Sequence, residues 1–325
     1  MGLDAELERL LAGASRLEKH PLARLISLVE QERDETRPRK AALFRHLAAH
    51  PETFPRRAAV IGVTGTPGSG KSSLIGRLAL ELLGSDAALR VAVLAIDPSS
   101  AVSGGALLGD RLRTHFPVGE RRIFFRSQAT QGDLGGVGRR TFAATRLLRH
   151  LFDLVFIETV GIGQSEIEVT QLSDTVVLVM QPLAGDHVQF LKAGVMEIPD
   201  VFVVNKCDEA ALARRAAHEL RSALAYAKIG GPGDDSEHRV FLTSAVTGRG
   251  VPELAAFLRT STQPEDPDTQ RRHELHFLRK AVAERYGRFG LDEVERAASS
   301  WPAGDATVYE EREAAVLEAI RARVR

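Results

Sequence analysis

The sequence predicts an α/β fold, a mainly parallel sheet covered by helices on both faces, with helical extensions at its N- and C-terminal ends. Three observations predict it. Short apolar runs alternate with helix-period patterns through the middle of the chain, as expected of parallel strands buried on both faces. One of those runs opens directly into a glycine-rich loop followed by a helical pattern, the context a phosphate-binding loop requires. The flanking segments carry apolar residues at helical spacing only.

Taken in order, residues 1–56 read as a helical N-terminal extension. Leu3, Leu7, Leu10, Leu11 and Leu17, then Leu22, Leu25, Ile26 and Val29, lie at helical spacing, and Pro21, Pro38, Pro51 and Pro55 punctuate them. Residues 57–262 read as the nucleotide-binding domain. Its strand candidates are Ala58–Val63, Val91–Ile96, Arg122–Phe125, Leu154–Ile157, Thr175–Met180, Val201–Val204 and Val240–Leu242. After the polar linker Gln263–Gln270, residues 263–325 turn helical again. There Leu275, Leu278, Val282, Tyr286 and Phe289 make one apolar stripe, and Val316, Leu317 and Ile320 make another.

The loop after the first strand reads Gly65-Thr66-Pro67-Gly68-Ser69-Gly70-Lys71-Ser72-Ser73. Glycines there let backbone N–H groups converge on phosphate oxygens, and the helix that follows aims its positive end at the same place. Lys71 is expected to reach the β- and γ-phosphates and the Ser72 hydroxyl to ligate Mg²⁺. The base is read further on, at Asn205-Lys206-Cys207-Asp208 after the strand Val201–Val204. A carboxylate such as Asp208 accepts hydrogen bonds from guanine's ring N–H and amine, whereas adenine presents an acceptor there and would leave two lone pairs facing each other. Ser244, Ala245 and Val246 follow a further strand, with the Ala245 N–H as a candidate donor to guanine's carbonyl. GTP is therefore the expected nucleotide, and the fold class narrows to a P-loop GTPase.

Composition bounds the rest. Lys plus Arg and Asp plus Glu number 43 each, so no global field favours nucleic acid or anionic membrane. The single cysteine, Cys207, excludes an intramolecular disulfide framework and a Cys-rich zinc site. No apolar run approaches the ~20 residues of a membrane span, and the N-terminus carries no charged-then-apolar leader. A cytoplasmic protein is the expectation.

The remaining chemistry is expected where strands end. Leu154–Glu158 is an apolar strand closing on a carboxylate, followed by Gly161. Glu158 is placed to hold a Mg²⁺-bound water, and Gly161 to offer its N–H to the γ-phosphate. Asp97 and Asp110 are two further acids for the metal, each equally readable as a cap or turn residue.

These motifs resemble the MeaB/ArgK-type GTPases, which are chaperones of adenosylcobalamin-dependent acyl-CoA mutases and are akin to the human methylmalonic aciduria type A protein. The resemblance rests on Val93–Ser100 (VLAIDPSS), Gly104–Arg111 (GGALLGDR), Leu134–Val137, Glu158–Glu166 (ETVGIGQSE) and Ala184–Gly194 (AGDHVQFLKAG). It implies a G domain between helical extensions, with the C-terminal one acting as a dimerisation arm. It also implies that Asp97 and Asp110 are metal-side acids of a first switch and that Glu158 belongs to a second. Asp186, Gln189 and Lys192 then lie in a third switch that meets the mutase, and Arg113 follows the first on the partner-facing side. The implied cofactors are GTP or GDP with Mg²⁺, and cobalamin only through the partner. His187, Phe190 and Ala193 depart from the family's usual third-switch residues, and Thr130-Gln131-Gly132-Asp133 departs from the usual Ser-Arg-Gly-His. Methylmalonyl-, isobutyryl- and hydroxyisobutyryl-CoA mutases thus all remain compatible.

Two other classes share this style of G domain: nickel or zinc metallochaperones, and a kinase of an amino-acid transport protein. The first needs gathered soft or imidazole ligands, and the ten histidines are scattered. The second needs a dedicated base beside the γ-phosphate. Where many GTPases place a water-orienting Gln after the glycine, this chain has Ile162, and Gln164 lies two residues on. Slow hydrolysis, accelerated by a partner, is expected.

Overall fold

The computed structural model describes residues 2–56, 58–97, 116–117, 119–129, 137–161, 165–182, 199–226, 239–302 and 307–324. The chain forms two compact units. One comprises residues 58–138 and 152–264, and the other residues 1–57, 139–151 and 265–325.

The first unit is built on seven parallel strands: β1 (Ala59–Gly65), β2 (Val91–Asp97), β3 (Ile123–Ala129), β4 (Leu154–Glu158), β5 (Thr175–Met180), β6 (Val201–Val204) and β7 (Val240–Leu242). Their order across the sheet is β3-β2-β4-β1-β5-β6-β7. All seven expected strands are present. β1, β2, β4, β5 and β6 are buried at every position, which is why they read as continuous apolar runs rather than alternating ones.

Strand pleating then sorts the side chains to the two faces. Ile61, Val63, Val91, Val93, Phe156, Val177 and Val203 point to one face, where they pack with Leu74, Ile75 and Leu78 of the helix Lys71–Ser85 and Leu254 and Leu258 of Val251–Ser261. On the other face, Leu178, Met180, Phe202 and Val204 pack with Ala213, Leu220 and Leu224 of Ala210–Tyr226. Gly62 lies on that second face, where a Cβ would meet Ser173 Oγ at 2.5 Å and Val169 Cγ2 at 2.6 Å, so its bare backbone admits the short helix Ser165–Thr170 and the turn after it.

The second unit is helical. It contains α1 (Ala5–Ser15), α2 (Lys19–Glu30), α3 (Arg37–Ala49), α5 (Arg139–Leu151), α9 (Pro267–Ser299) and α10 (Tyr309–Val324), where α4, α6, α7 and α8 are the helices Lys71–Ser85, Ser165–Thr170, Ala210–Tyr226 and Val251–Ser261 of the first unit. The N-terminal stripe Leu7, Leu11, Leu22, Leu25, Ile26 and Val29 is buried, as are Val316, Leu317 and Ile320. Phe142 of α5 stacks on Phe277 at 4.3 Å and meets Tyr309 edge-on at 5.1 Å.

Two features of this unit run against a simple apolar reading. First, the stripe Leu275, Leu278, Val282, Tyr286, Phe289 is not one continuous face. Gly287 breaks α9 with φ 56° and ψ −145°, values that glycine adopts without steric cost. The chain folds back there, so that Arg279 forks onto Glu295 at 2.6 and 2.9 Å and Arg271 reaches the carbonyls of Trp301 and Pro302. Leu278 and Val282 are buried, while Phe289 remains exposed.

Second, four acids of the C-terminal segment hold three arginines of α5. Arg146 forks onto Glu310 at 2.7 and 3.3 Å and lies over the Phe44 ring at 4.0 Å. Glu274, 3.8 Å from Arg146, also accepts from Arg312. Arg139 bonds Glu313 at 2.9 Å, and Arg149 lies 3.5 Å from Glu265. Glu265 also pairs with Arg56 and accepts from His273 Nδ1 at 2.8 Å. Buried charges of this kind are tolerated because each is paired and hydrogen-bonded.

Two groups make this unit sensitive to acid. Burial pushes His150 down to about 4. Its Nδ1 donates to the Phe54 carbonyl at 2.8 Å, which pulls the other way, while Arg56, Arg146 and Arg149 reinforce the drop. Burial works against the charge of Glu265, but the His273 bond and the Arg149 and Arg56 guanidiniums outweigh it and hold its carboxyl at about 2. In both cases the unfolded chain binds the proton first. Stability is therefore complete above pH 6.5 and falls as His150 is out-titrated between 6.5 and about 4, then falls again between 4.5 and about 2 through Glu265. Urea unfolding at pH 7 and pH 4.5 should differ by on the order of 2 kcal/mol from the histidine. His150→Gln should flatten that first decline and leave the second in place.

Candidate functional site

The site lies at the C-terminal edge of the sheet, where β1, β2, β4, β6 and β7 end. β1 stops at Gly65, whose φ is 142° and where a Cβ would lie 1.9 Å from the Val179 carbonyl oxygen. Gly68 and Gly70 also take positive φ, 80° and 86°, and Gly70 caps α4. The loop closes on itself through a Ser69 N–H bond to the Thr66 carbonyl at 3.1 Å. Lys71 is buried and donates to the carbonyls of Gly65 at 2.9 Å and Thr66 at 3.2 Å. Its ammonium is thus held against the start of the loop. Ser69 is fully buried, and its Oγ has no hydrogen-bond partner among the described residues. Pro67, Gly68 and Ser73 face solvent, and Thr66 is half-buried.

β4 supplies the acid. Glu158 is buried, and its Oε1 accepts from Ser72 Oγ at 2.6 Å. The next residue, Thr159, is tied to β1 by its N–H to the Val63 carbonyl at 3.0 Å and its Oγ1 to Thr64 Oγ1 at 2.9 Å. Gly161, at φ 155°, comes so near the loop that a Cβ would sit 3.1 Å from Pro67 Cγ. Asp97 ends β2, almost fully buried. Serine hydroxyl and two carboxylates form a hard-oxygen donor set of the kind Mg²⁺ takes together with phosphate oxygens and water.

Asn205, after β6, connects the phosphate loop to the segment after β7. Its Nδ2 donates to the Ser69 carbonyl at 2.9 Å, and its Oδ1 accepts from Thr243 Oγ1 and from the Ala245 N–H, each at 3.2 Å. The Ala245 N–H expected for guanine is therefore directed at Asn205. Ser244 Oγ donates to Asp208 Oδ1 at 2.6 Å and accepts from the Thr247 N–H at 3.0 Å. Lys206, at φ 60°, is exposed and donates to Gln181 Oε1 at 3.1 Å. Val246 is 84% exposed. Burial pushes the Cys207 thiol up to about 11, and its Sγ lies 3.1 Å from the Val204 carbonyl. It is a packing residue of the β5–β6 face.

The structure thus gathers Gly65–Ser73, Asp97 and Glu158–Gly161 at one sheet edge and joins Asn205, Asp208 and Ser244–Ala245 to the loop through one side chain. Asp110, Arg113, Ile162, Gln164, Asp186, Gln189 and Lys192 lie outside the described residues, as does Thr130–Gly136. Sequence reasoning gave Asn205 no separate task and missed the Thr64–Thr159 pair. Only the register of β1 against β4 shows that pair, because Val63 lies opposite Glu158.

Strand, loop and acid define the class: a P-loop GTPase. Comparison with known proteins gives the family. The family described as methylmalonyl-CoA mutase-associated GTPase MeaB matches residues 22–285, and the chain belongs to it. The GTPase ArgK of Escherichia coli is 35% identical over 247 residues, 73% of this chain and 70% of its own. The mitochondrial methylmalonic aciduria type A homolog of Mus musculus is 36% identical over 259 residues, 76% of this chain and 61% of its own. A Pyrococcus abyssi relative is 42% identical over 208 residues, 64% of this chain, and the match spans 60% of that relative's length. The crystal structure of a LAO/AO transport system kinase is similar in fold, with a TM-score of 0.60 over 99% of both chains at 24% identity. Among the described residues no helix is long and apolar enough to cross a membrane.

The close packing of Gly70 yields a prediction. A Cβ there would lie 2.6 Å from Asn205 Nδ2, at a φ of 86°. Gly70→Ala should strain the cap and displace the amide, lowering GTP affinity about tenfold or more in calorimetry. The far-UV spectrum should be unchanged. Wild-type affinity in this variant would show that the Asn205 bridge is dispensable.

Proposed function

We propose that this chain hydrolyses GTP slowly by itself and serves as a chaperone of an adenosylcobalamin-dependent acyl-CoA mutase, gating the loading, protection or reactivation of the mutase's cofactor. The observation that carries the reading is the Asn205 bridge between the phosphate loop and the Asp208 loop, in a chain whose family description names methylmalonyl-CoA mutase. In this reading cobalamin is met only through the partner.

The chain's own groups divide the work. Backbone amides of Gly68–Ser72 cradle the phosphates, and Lys71 turns from the loop carbonyls to the β- and γ-phosphate oxygens. Binding there exchanges hydrogen bonds rather than adding them to bare groups, so the net gain per contact is modest. Ser72, Glu158 and Asp97, with Asp110, would hold Mg²⁺, which would supply positive charge against the phosphates. Gly161 offers its N–H to the γ-phosphate, and Asp208 accepts from guanine.

Ile162 stands where a water-orienting amide is expected, so the attacking water needs help from outside. Asp186, Gln189, Lys192 and Arg113 are the groups we assign to the partner-facing switches. An activating group is worth about 10³–10⁵ in GTPases. Single-turnover hydrolysis should therefore be slow for the chain alone and faster with the co-purified mutase. Lys192→Ala should lose most of that stimulation. Fast hydrolysis indifferent to partner and mutation would overturn the chaperone reading.

Residues 263–325 are proposed as the arm of a homodimer, supported by Phe289, which stays 42% exposed beside the Gly287 turn. Light scattering should report a dimer for the full chain and a monomer for Phe289→Asp. A dimeric variant would remove this contact from the interface.

A further inference from the structure

The sheet edge carries a second hydroxyl–carboxylate pair beside Ser72–Glu158. In β3, Ser127 Oγ donates to Asp97 Oδ2. Register explains how. Ser127 and Glu158 both lie opposite Ala95, on the two flanking strands, so all three side chains share one face. Asp97 is two residues beyond Ala95 on that same face. The neighbours of Ser127 two and four residues back, Phe125 and Ile123, pack in the core under α4, which identifies the face as the one that leads to Lys71 and Ser72. Ala95, on the strand between them, contributes only a methyl between Ser127 and Glu158. The result is a row in which each buried carboxylate receives a serine hydroxyl, Glu158 from the phosphate loop and Asp97 from the adjacent strand.

We propose that Ser127 is a positioning residue for the nucleotide-bound divalent cation, acting through Asp97. The Ser127 hydroxyl fixes one carboxylate oxygen of Asp97 and with it the rotation of the group, so that Asp97 presents a set geometry to the ion or to its water. Mg²⁺ demands near-ideal octahedral geometry, and partners that orient its ligands govern affinity for that reason. The proposal rests on the reading of Asp97 as a metal-side acid.

The test measures binding rather than turnover. A non-hydrolysable GTP analogue is titrated calorimetrically at a series of Mg²⁺ concentrations, and GDP affinity is measured in parallel without divalent cation. The variants are Ser127→Val, Ser127→Thr, Asp97→Asn and Ser72→Ala. Valine and threonine have the same shape and suit a strand equally, differing only in the hydroxyl. The Mg²⁺ concentration for half-maximal enhancement should rise about tenfold in Ser127→Val and stay within about twofold of wild type in Ser127→Thr. Metal-free GDP affinity should be the same in all three. A rise in Asp97→Asn with none in Ser127→Val would overturn the role of Ser127 and leave the metal reading of Asp97 standing. No change in Asp97→Asn against a clear rise in Ser72→Ala would remove Asp97 from the metal site and the proposal with it. Parallel loss of metal-free affinity in Ser127→Val would mark the bond as structural, which also refutes the proposal.

Discussion

β1 ends against the backbone of β5, and the geometry of the site is measured from that point. Gly65 is still in register with Val179 while already at φ 142°, and a side chain there would occupy the space of a carbonyl oxygen. No L-residue fits without separating two central strands. Because the turn is fixed there, the loop reaches α4 within five residues, Lys71 returns to the Gly65 carbonyl, and Ser72 meets Glu158. Register supplies the other half of the constraint: Val63 lies opposite both Glu158 and Val177, so the acid is delivered beside the loop by the neighbouring strand.

Burying two carboxylates on one sheet face is costly unless each is compensated. Asp97 and Glu158 are 1% and 5% exposed. Ser72 Oγ donates to Glu158 and Ser127 Oγ to Asp97, and a hydroxyl partner matters chemically. A guanidinium would neutralise the acid and compete with a cation for it, whereas a hydroxyl orients the carboxylate and leaves its charge available. In the helical unit guanidiniums are the partners. There Glu265, Glu274, Glu310 and Glu313 are each met by arginine, and the charge is spent on holding helices together.

How much of this was legible in the sequence follows from the same distinction between local and distant determinants. All seven strands were legible, because a strand buried on both faces is a local run of apolar residues. The phosphate loop was legible because its glycines and its Lys-Ser pair are contiguous. The helical segments were legible as helices, yet α5 reads in sequence as one more crossover helix of the nucleotide-binding region. Its place in the helical unit depends on Arg139, Arg146 and Arg149 meeting acids more than a hundred residues away, and no periodicity records that. Gly287 was hidden for a different reason. Apolar spacing continues across it, and a single glycine within a helical pattern signals a break only when the chain beyond it finds partners such as Arg279–Glu295. Ser127 escaped attention because the acid it serves is on another strand.

The Asn205-Lys206-Cys207-Asp208 loop shows how four adjacent residues can be divided between core and surface. Lys206 takes φ 60°, unusual for a residue with a side chain, and this inversion lets Asn205 and Cys207 both point inward while Lys206 and Asp208 face out. The inward pair does the structural work. Cys207 fills the β5–β6 core with a thiol kept protonated by burial, and its N–H bonds the Thr243 carbonyl. Asn205 spends both ends of its amide on backbone and hydroxyl groups of the loops on either side. Asp208 is thus joined through Ser244, Ala245 and Asn205 to the carbonyl of Ser69 by three hydrogen bonds and one peptide link. The phosphate loop and the loops that end β6 and β7 are thus one hydrogen-bonded body, so a displacement of any one of them costs hydrogen bonds in the others.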